Sequence, residues 1–315
     1  MYDIIGKRYW YFTVSLIIII PGIIAMVYSL MTFGTPVRVG IDFTGGSLWE
    51  LRFDQAASLS GVRDTLTARG LGDASIQNTV DNQTILIRTK PVSLEERAAV
   101  EQDLSKQFGP VTELRFDTVG PAVGREVTQA ATLAAVAASL VFLVFIAFAF
   151  RRVPNGFRYG VTAVIAMIHD VFVCLGVFAI LGLIFGWEAD ALFLTALLTV
   201  IGFSVQDTIV VYDRIRENVL RRRGEPFEQV VNRSLLETLP RSVIIQLTQV
   251  FVLFTLLLFG GPTTKHFVTV LLYSMFSGMY SSIFNAPELL VVWENGEIGS
   301  FFRRKFGKET ARASV

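Results

Sequence analysis

The chain has 315 residues, of which 52% are apolar and only 17% charged, and its formal net charge is +1. That balance leaves no basic footprint for nucleic acid, and no Lys/Arg run is interleaved with aromatic residues. Long charge-free runs alternate with segments of ordinary soluble composition, the pattern of a membrane protein with extramembrane parts. The single cysteine, Cys174, lies in an apolar run, which excludes an intrachain disulfide or a cysteine-based metal site. It reads as a small core residue.

Residues 1–31 hold a short tail and the first span. Lys7 and Arg8 precede the charge-free run Tyr9 to Met31, long enough to cross a bilayer. A cleaved signal peptide would have a shorter apolar core and a small-residue cleavage site, so the run is read as an uncleaved span kinked at Pro21-Gly22. Residues 32–126 differ in kind. Ser47 to Phe53 alternates like a strand, and Leu59 to Arg69 has helical spacing closed by Gly70. Ala74 to Val80 and Thr84 to Thr89 read as strands joined by a turn at Asp81-Asn82-Gln83. Ser93-Leu94-Glu95-Glu96 is a capping box opening a helix to Phe108, where Gly109-Pro110 stops it. Val111 to Thr118 is a last strand. The order βαββαβ predicts an α+β, ferredoxin-like domain.

Residues 127–293 carry spans two to six. Val127 to Phe150 is the second, and its Ala-rich first half suits packing inside a bundle. A loop with Arg151, Arg152, Pro154, Gly156 and Arg158 leads to the third, Tyr159 to Trp187. Glu188-Ala189-Asp190 makes an acidic turn into the fourth, which starts at Ala191 and holds Asp207. After the basic residues Arg221, Arg222, Arg223 and Arg233 comes the fifth, Arg241 to Phe259. Gly260-Gly261-Pro262 turns into the sixth, His266 to Trp293, and residues 294–315 form a tail with Arg303-Arg304-Lys305. Every short loop agrees on one orientation by the positive-inside rule: both termini cytoplasmic, residues 32–126 extracytoplasmic.

Three places put ionisable side chains inside these runs. A carboxylate at a helix centre costs about 2.5–3.5 kcal/mol on insertion scales, so Asp207 reads as functional. The competing reading is a solvated helix end. Ser204, on the same helix face, and Thr208 are its supporting polar groups. Asp213, Arg214, Arg216 and Glu217 have the spacing of a salt-bridged, interfacial helix end. His169-Asp170 falls near mid-span and serves as a proton relay or as a structural polar pair. Arg241, directly after Pro240, is a snorkelling helix-end arginine or the ion-pair partner of Asp207. In the second case, protonation of Asp207 breaks the pair and lets helices shift, driven by the membrane potential. Sodium could serve in place of the proton. There is no GxxxxGK[ST], HExxH or GxSxG, so an enzyme is not expected, nor is a cofactor or metal.

The residues resemble a known family. Gly40 to Ser47 (GIDFTGGS), Val119 to Glu126 (VGPAVGRE), His169-Asp170 and Asp207 to Asn218 (DTIVVYDRIREN) are similar to the SecF family. These are the smaller subunits of the bacterial SecDF accessory complex, within the resistance-nodulation-division (RND) superfamily. The resemblance implies half of an RND-type bundle in the cytoplasmic membrane, driven by the proton motive force to assist preprotein export. It implies SecD, which would bring six further spans and a second carboxylate, the SecYEG channel, YajC and preprotein as partners. It assigns Asp207 the family's proton-handling aspartate and Arg241 its membrane arginine. Gly40, Gly45, Gly46, Gly120, Pro121 and Gly124 then become hinges between the outer domain and its spans, or ordinary turn residues. A small-molecule RND exporter and a structural assembly factor without proton transport are the alternatives.

Overall fold

The computed structural model describes residues 2–55, 57–78, 83–149, 155–222 and 224–297. Asp81 and Asn82 of the expected turn, Arg151, Arg152 and Pro154 of the basic loop, Arg223, and Arg303-Arg304-Lys305 lie outside the described residues. The chain divides into two compact units, Met1–Val37 with Ala135–Leu183 and Leu192–Val315, and Arg38–Ala134 with Ile184–Ala191.

The second unit is built on a four-stranded antiparallel sheet. In chain order it holds α2 (Ile41–Thr44), β1 (Gly46–Phe53), α3 (Leu59–Ala68), β2 (Ser75–Asn78), β3 (Thr84–Thr89), α4 (Leu94–Phe108) and β4 (Val111–Val119). The strand order is β2-β3-β1-β4, with Trp49 opposite Ile87 and Phe116 in the two ladders of β1. Alternation on β1 sends Trp49, Leu51 and Phe53 to one face, where they join Ile85 and Ile87 of β3 in a core. Val62 and Leu66 of α3 and Val100 and Leu104 of α4 close that core, so both helices cover the same face. Each such aliphatic side chain contributes about 1.5–3 kcal/mol by burial. Ser58 caps α3 by accepting from Gly61 N–H, and Ser93 and Glu96 form the full capping box of α4.

The acidic turn after the third span belongs to this sheet-bearing unit, not to the membrane helices alone. Val39 bridges Ala189 in parallel fashion, and Ala189 N–H donates to the Arg38 carbonyl at 2.7 Å. Glu188 pairs with Arg88 of β3 and lies 3.7 Å from Arg38.

The first unit is helical. Among the described residues, six helices are long and apolar enough to cross a membrane. They are α1 (Arg8–Phe33), α5 (Pro121–Ala149), α6 (Gly156–Phe185), α7 (Ala191–Arg221), α8 (Phe227–Phe259), and a sixth made of α9 (Pro262–Tyr280), a π-helical stretch Ser281–Asn285 and α10 (Ala286–Glu294). α6 buries Gly160, Ala163, Met167, Asp170, Val173 and Cys174, a stripe at helical spacing. α1 runs on through Pro21, and at Gly22 it meets α6 so closely that an added Cβ would lie 2.8 Å from the Gly176 Cα.

Three expectations need correction. The helix that carries the fifth span does not start at Arg241: α8 begins at Phe227 and Pro240 lies inside it. Glu228, Arg233 and Glu237 interrupt the charge-free run, yet the same turns bury Val230, Val231, Ser234 and Leu235, and that packing holds the helix together. The second span starts at Pro121, six residues before Val127, because proline is well suited to a first helical turn. Its Ala-rich first half is largely exposed in this chain, since small residues favour close approach only where a neighbouring helix is present.

Candidate functional site

The most densely bonded polar group in the bundle is Asp170, at mid-helix on α6 and 1% exposed. Its Oδ2 accepts from Ser204 Oγ of α7 and from Ser281 Oγ of the π-helical stretch, each at 2.6 Å. Its Oδ1 accepts from Ser277 Oγ of α9 at 2.9 Å and lies 3.0 Å from His169 Nδ1. Hydroxyls from two helices, α7 and the sixth span, therefore converge on a carboxylate carried by a third, which satisfies a charge that an apolar interior would not tolerate alone. The other ring nitrogen of the imidazole, His169 Nε2, is buried and has no hydrogen-bond partner among the described residues. The π-helical stretch matters here. It inserts one residue into the sixth span and sets the directions of Ser281 and Ser282, as such stretches often do at functional sites.

Asp207 lies one turn after Ser204 on α7 and is 8% exposed. α7 continues as a single helix to Arg221, so Asp207 is not a frayed helix end. Its Oδ2 accepts from Gln246 Nε2 of α8. The expected ion pair with Arg241 is absent: Arg241 is exposed, and Gln246, five residues beyond it on the same helix, is what reaches Asp207. The starting point of α8 explains the difference. Arg241 sits about 21 Å along that helix at 1.5 Å per residue, with eighteen residues of α8 beyond it. A long cationic side chain exposed at such a position can snorkel.

Ser204 and Thr208 are both buried, but they serve other partners than Asp207. Ser204 donates to Asp170, while Thr208 Oγ1 lies 2.9 Å from Ser282 Oγ. The rim of α7 is salt-bridged as its charge spacing suggests: Arg216 to Asp213 at 2.6 Å, Arg214 to Glu217 at 2.5 Å and to Glu237 of α8 at 2.7 Å.

Ser277, Ser281, Ser282 and Gln246 were not singled out from the sequence. Ser274, Ser277 and Ser281 recur at helical spacing in an apolar run, and Gln246 is a polar residue in another, so the signal was present. Among the described residues no group of three or more His, Cys, Asp or Glu side chains could hold a metal ion.

The hinge candidates fall within the sheet-bearing unit. Gly40 N–H donates to the Ala189 carbonyl at 2.6 Å. Gly45 has φ +73°, and Gly46 leads into β1. Gly120 precedes α5, whereas Pro121 and Gly124 lie in its first turns. Gly45 and Gly124 meet backbone to backbone: a Cβ on Gly124 would lie 2.7 Å from Gly45 N.

Six membrane-length helices, a small antiparallel sheet and a buried carboxylate cluster define a multi-pass membrane protein of the protein-export class once the comparisons are added. The model of the family described as "Protein export membrane protein SecD/SecF, C-terminal" matches residues 99–296, and that of the "SecD/SecF GG Motif" matches residues 31–57. The protein translocase subunit SecF of Thermobaculum terrenum is 51% identical, over 96% of this chain and 98% of that protein. The SecF of Anaerolinea thermophila is 47% identical, over the same shares of each. The crystal structure of SecDF from Thermus thermophilus, a translocon-associated membrane protein, superposes with a TM-score of 0.78 at 30% identity. That match covers 93% of this chain and 39% of the SecDF chain. The chain belongs to the SecF family of protein translocase subunits.

Proposed function

We propose that this chain is one half of a proton-motive-force-driven export complex in the bacterial cytoplasmic membrane, with its termini cytoplasmic and its sheet domain, a ferredoxin-like split βαβ, outside. SecD would supply the other half of an RND-type bundle. SecYEG, YajC and preprotein are the further partners this reading implies. The chain acts as a transporter subunit, not an enzyme.

One observation carries the reading: two buried carboxylates, Asp170 and Asp207, are joined through α7, with Ser204 held by the first and Asp207 one turn beyond it. A proton arriving on either carboxylate removes the charge that its donors satisfy. Asp170 then releases hydroxyls from α7 and the sixth span, and Asp207 releases the Gln246 amide of α8. Helices tied by charge in one state are untied in the other, which is a two-state element that a transmembrane potential can bias. Largely exposed α5 and the open face of α8 leave apolar surface for the second half of a bundle.

The test is preprotein export into inverted membrane vesicles carrying the complex, with and without a proton gradient. Asp170→Asn and Asp207→Asn are expected to assemble with SecD and to abolish the gradient-dependent part of export. Unchanged gradient dependence in both assembled variants rejects the motor reading in favour of a structural role. Loss on addition of a sodium-dissipating ionophore alone would reassign the coupling ion.

A further inference from the structure

Glu288 of α10 is fully buried, at 0% exposure, and neither of its carboxyl oxygens has a hydrogen-bond partner among the described residues. This chain alone buries it, so a partner subunit can only deepen the burial. The helix offers it no free amino terminus, because Asn285 and Ala286 keep right-handed helical geometry from the π-helical stretch into α10. Groups on the neighbouring elements bond other partners. Arg8 of α1 is held by Glu297 at 2.5 Å and lies 3.5 Å from Glu228 of α8, while its Nε is buried without a hydrogen-bond partner among the described residues. Tyr280 of α9 donates to the Tyr11 carbonyl, and Tyr212 of α7 to the Ala286 carbonyl. One turn earlier, Asn285 accepts from Ser15 Oγ at 3.0 Å, while its amide nitrogen is buried with no partner among the described residues.

A bare carboxylate in such a place is strongly disfavoured unless something binds it. The described residues hold no cluster fit for a metal ion. We propose that Glu288 is a proton-binding site separate from the Asp170–Asp207 cluster. The carboxylate takes a proton from hydronium, forming an O–H bond and leaving water, and returns it by the reverse step. The site rests on the burial of Glu288 and not on the motor reading of Asp170 and Asp207.

The experiment is infrared difference spectroscopy of the whole complex in lipid vesicles, stepped between acid and alkaline pH. A titrating carboxylic C=O band is expected that is lost in Glu288→Gln, moved in Glu288→Asp, and retained in Asp170→Asn and Asp207→Asn. Labelling glutamate with ¹³C at its side-chain carboxyl should shift the same band in the unaltered protein, a readout that survives if Glu288→Gln fails to fold. A spectrum without any titrating, label-sensitive band overturns the proposal. So does a band that persists in Glu288→Gln, or one displaced at fixed pH by sodium, which would make the ligand a metal ion. Retention of the band in Asp170→Asn and Asp207→Asn that have lost export separates this site from the motor reading.

Discussion

Ser204 of α7 donates a 2.6 Å hydrogen bond to Asp170 of α6, and the next turn of α7 carries Asp207. The helix that presents one buried carboxylate is thereby fastened to the other. Asp170 is not an accessory to Asp207; it is the better-connected of the two, with three serine hydroxyls on its oxygens.

Removing those hydroxyls should loosen the bundle in a graded way. Hydrogen bonds to charged groups contribute about 1.5–3 kcal/mol each, and three donors share one carboxylate. Ser204→Ala or Ser281→Ala alone is expected to lower stability by roughly 1–2 kcal/mol. The double variant should lose more than the sum, since Asp170 keeps only Ser277 and His169. Thermal unfolding of the purified complex checks both. A double variant no worse than either single would show that the hydroxyls do not act on the carboxylate together.

Gln246 is the protein donor to Asp207, so its replacement separates charge stabilisation from helix packing. Gln246→Leu keeps the volume and leaves Asp207 buried without that donor, a loss of roughly 1–3 kcal/mol. Gln246→Glu sets two carboxylates against each other, which must then share a proton between them. Export driven by a proton gradient should fall in both variants, and only Gln246→Glu should move the pH at which it falls. Equal pH profiles for the two would remove Gln246 from the proton-handling cluster.

The sheet unit was legible because its signals are local. The capping box at Ser93, the alternation in β1 and the closing Gly109-Pro110 each act within a few residues, and the strands and helices appear where those signals put them. The six spans were legible for the same reason, since freedom from charge is a property of the run itself. What escaped depends on partners far apart in sequence. The first turns of α8 carry charges whose meaning appears only when Arg214 meets Glu237. Asp207 could not announce Gln246 over Arg241, because the choice is fixed by the start and rotation of α8. Serines in an apolar span are common enough that Ser277 and Ser281 gained meaning only once Asp170 lay between them.

The capping box gives a pH dependence with a defined sign. The Ser93 backbone N–H, and then its side chain, hold the charged form of Glu96 and keep its acidity below the usual carboxylate range. A carboxylate depressed in the folded state contributes stability that is fully present above its unfolded value and is lost as pH falls through the folded one. Amide exchange at the start of α4, corrected for intrinsic rate, is therefore expected to speed up as pH drops through that range in the full-length protein. Glu96→Gln should flatten the dependence. If it persists, another carboxylate of the sheet unit is responsible.

The glycines flanking the sheet distinguish close packing from free rotation. Gly45 combines φ +73° with a site where an added Cβ would lie 2.9 Å from the Pro121 Cα, and a Cβ on Gly124 would lie 2.7 Å from Gly45 N. Two backbones touch there, one before β1 and one in the first turns of α5, and no side chain fits between them. Gly120, by contrast, has nothing among the described residues within 4 Å of such a Cβ and lacks a positive φ. Gly45→Ala and Gly124→Ala are expected to destabilise the sheet unit by roughly 1–3 kcal/mol through strain and overpacking. Gly120→Ala should leave stability within about 0.5 kcal/mol of the unaltered protein. A pure hinge predicts another order, because alanine at Gly120 would restrict rotation as much as at Gly45. Melting of the three variants in the assembled complex, beside their export rates, decides it: an export defect in Gly120→Ala without loss of stability would favour the hinge, whereas defects confined to Gly45→Ala and Gly124→Ala would mark this pair as a fixed contact that holds β1 to the start of α5.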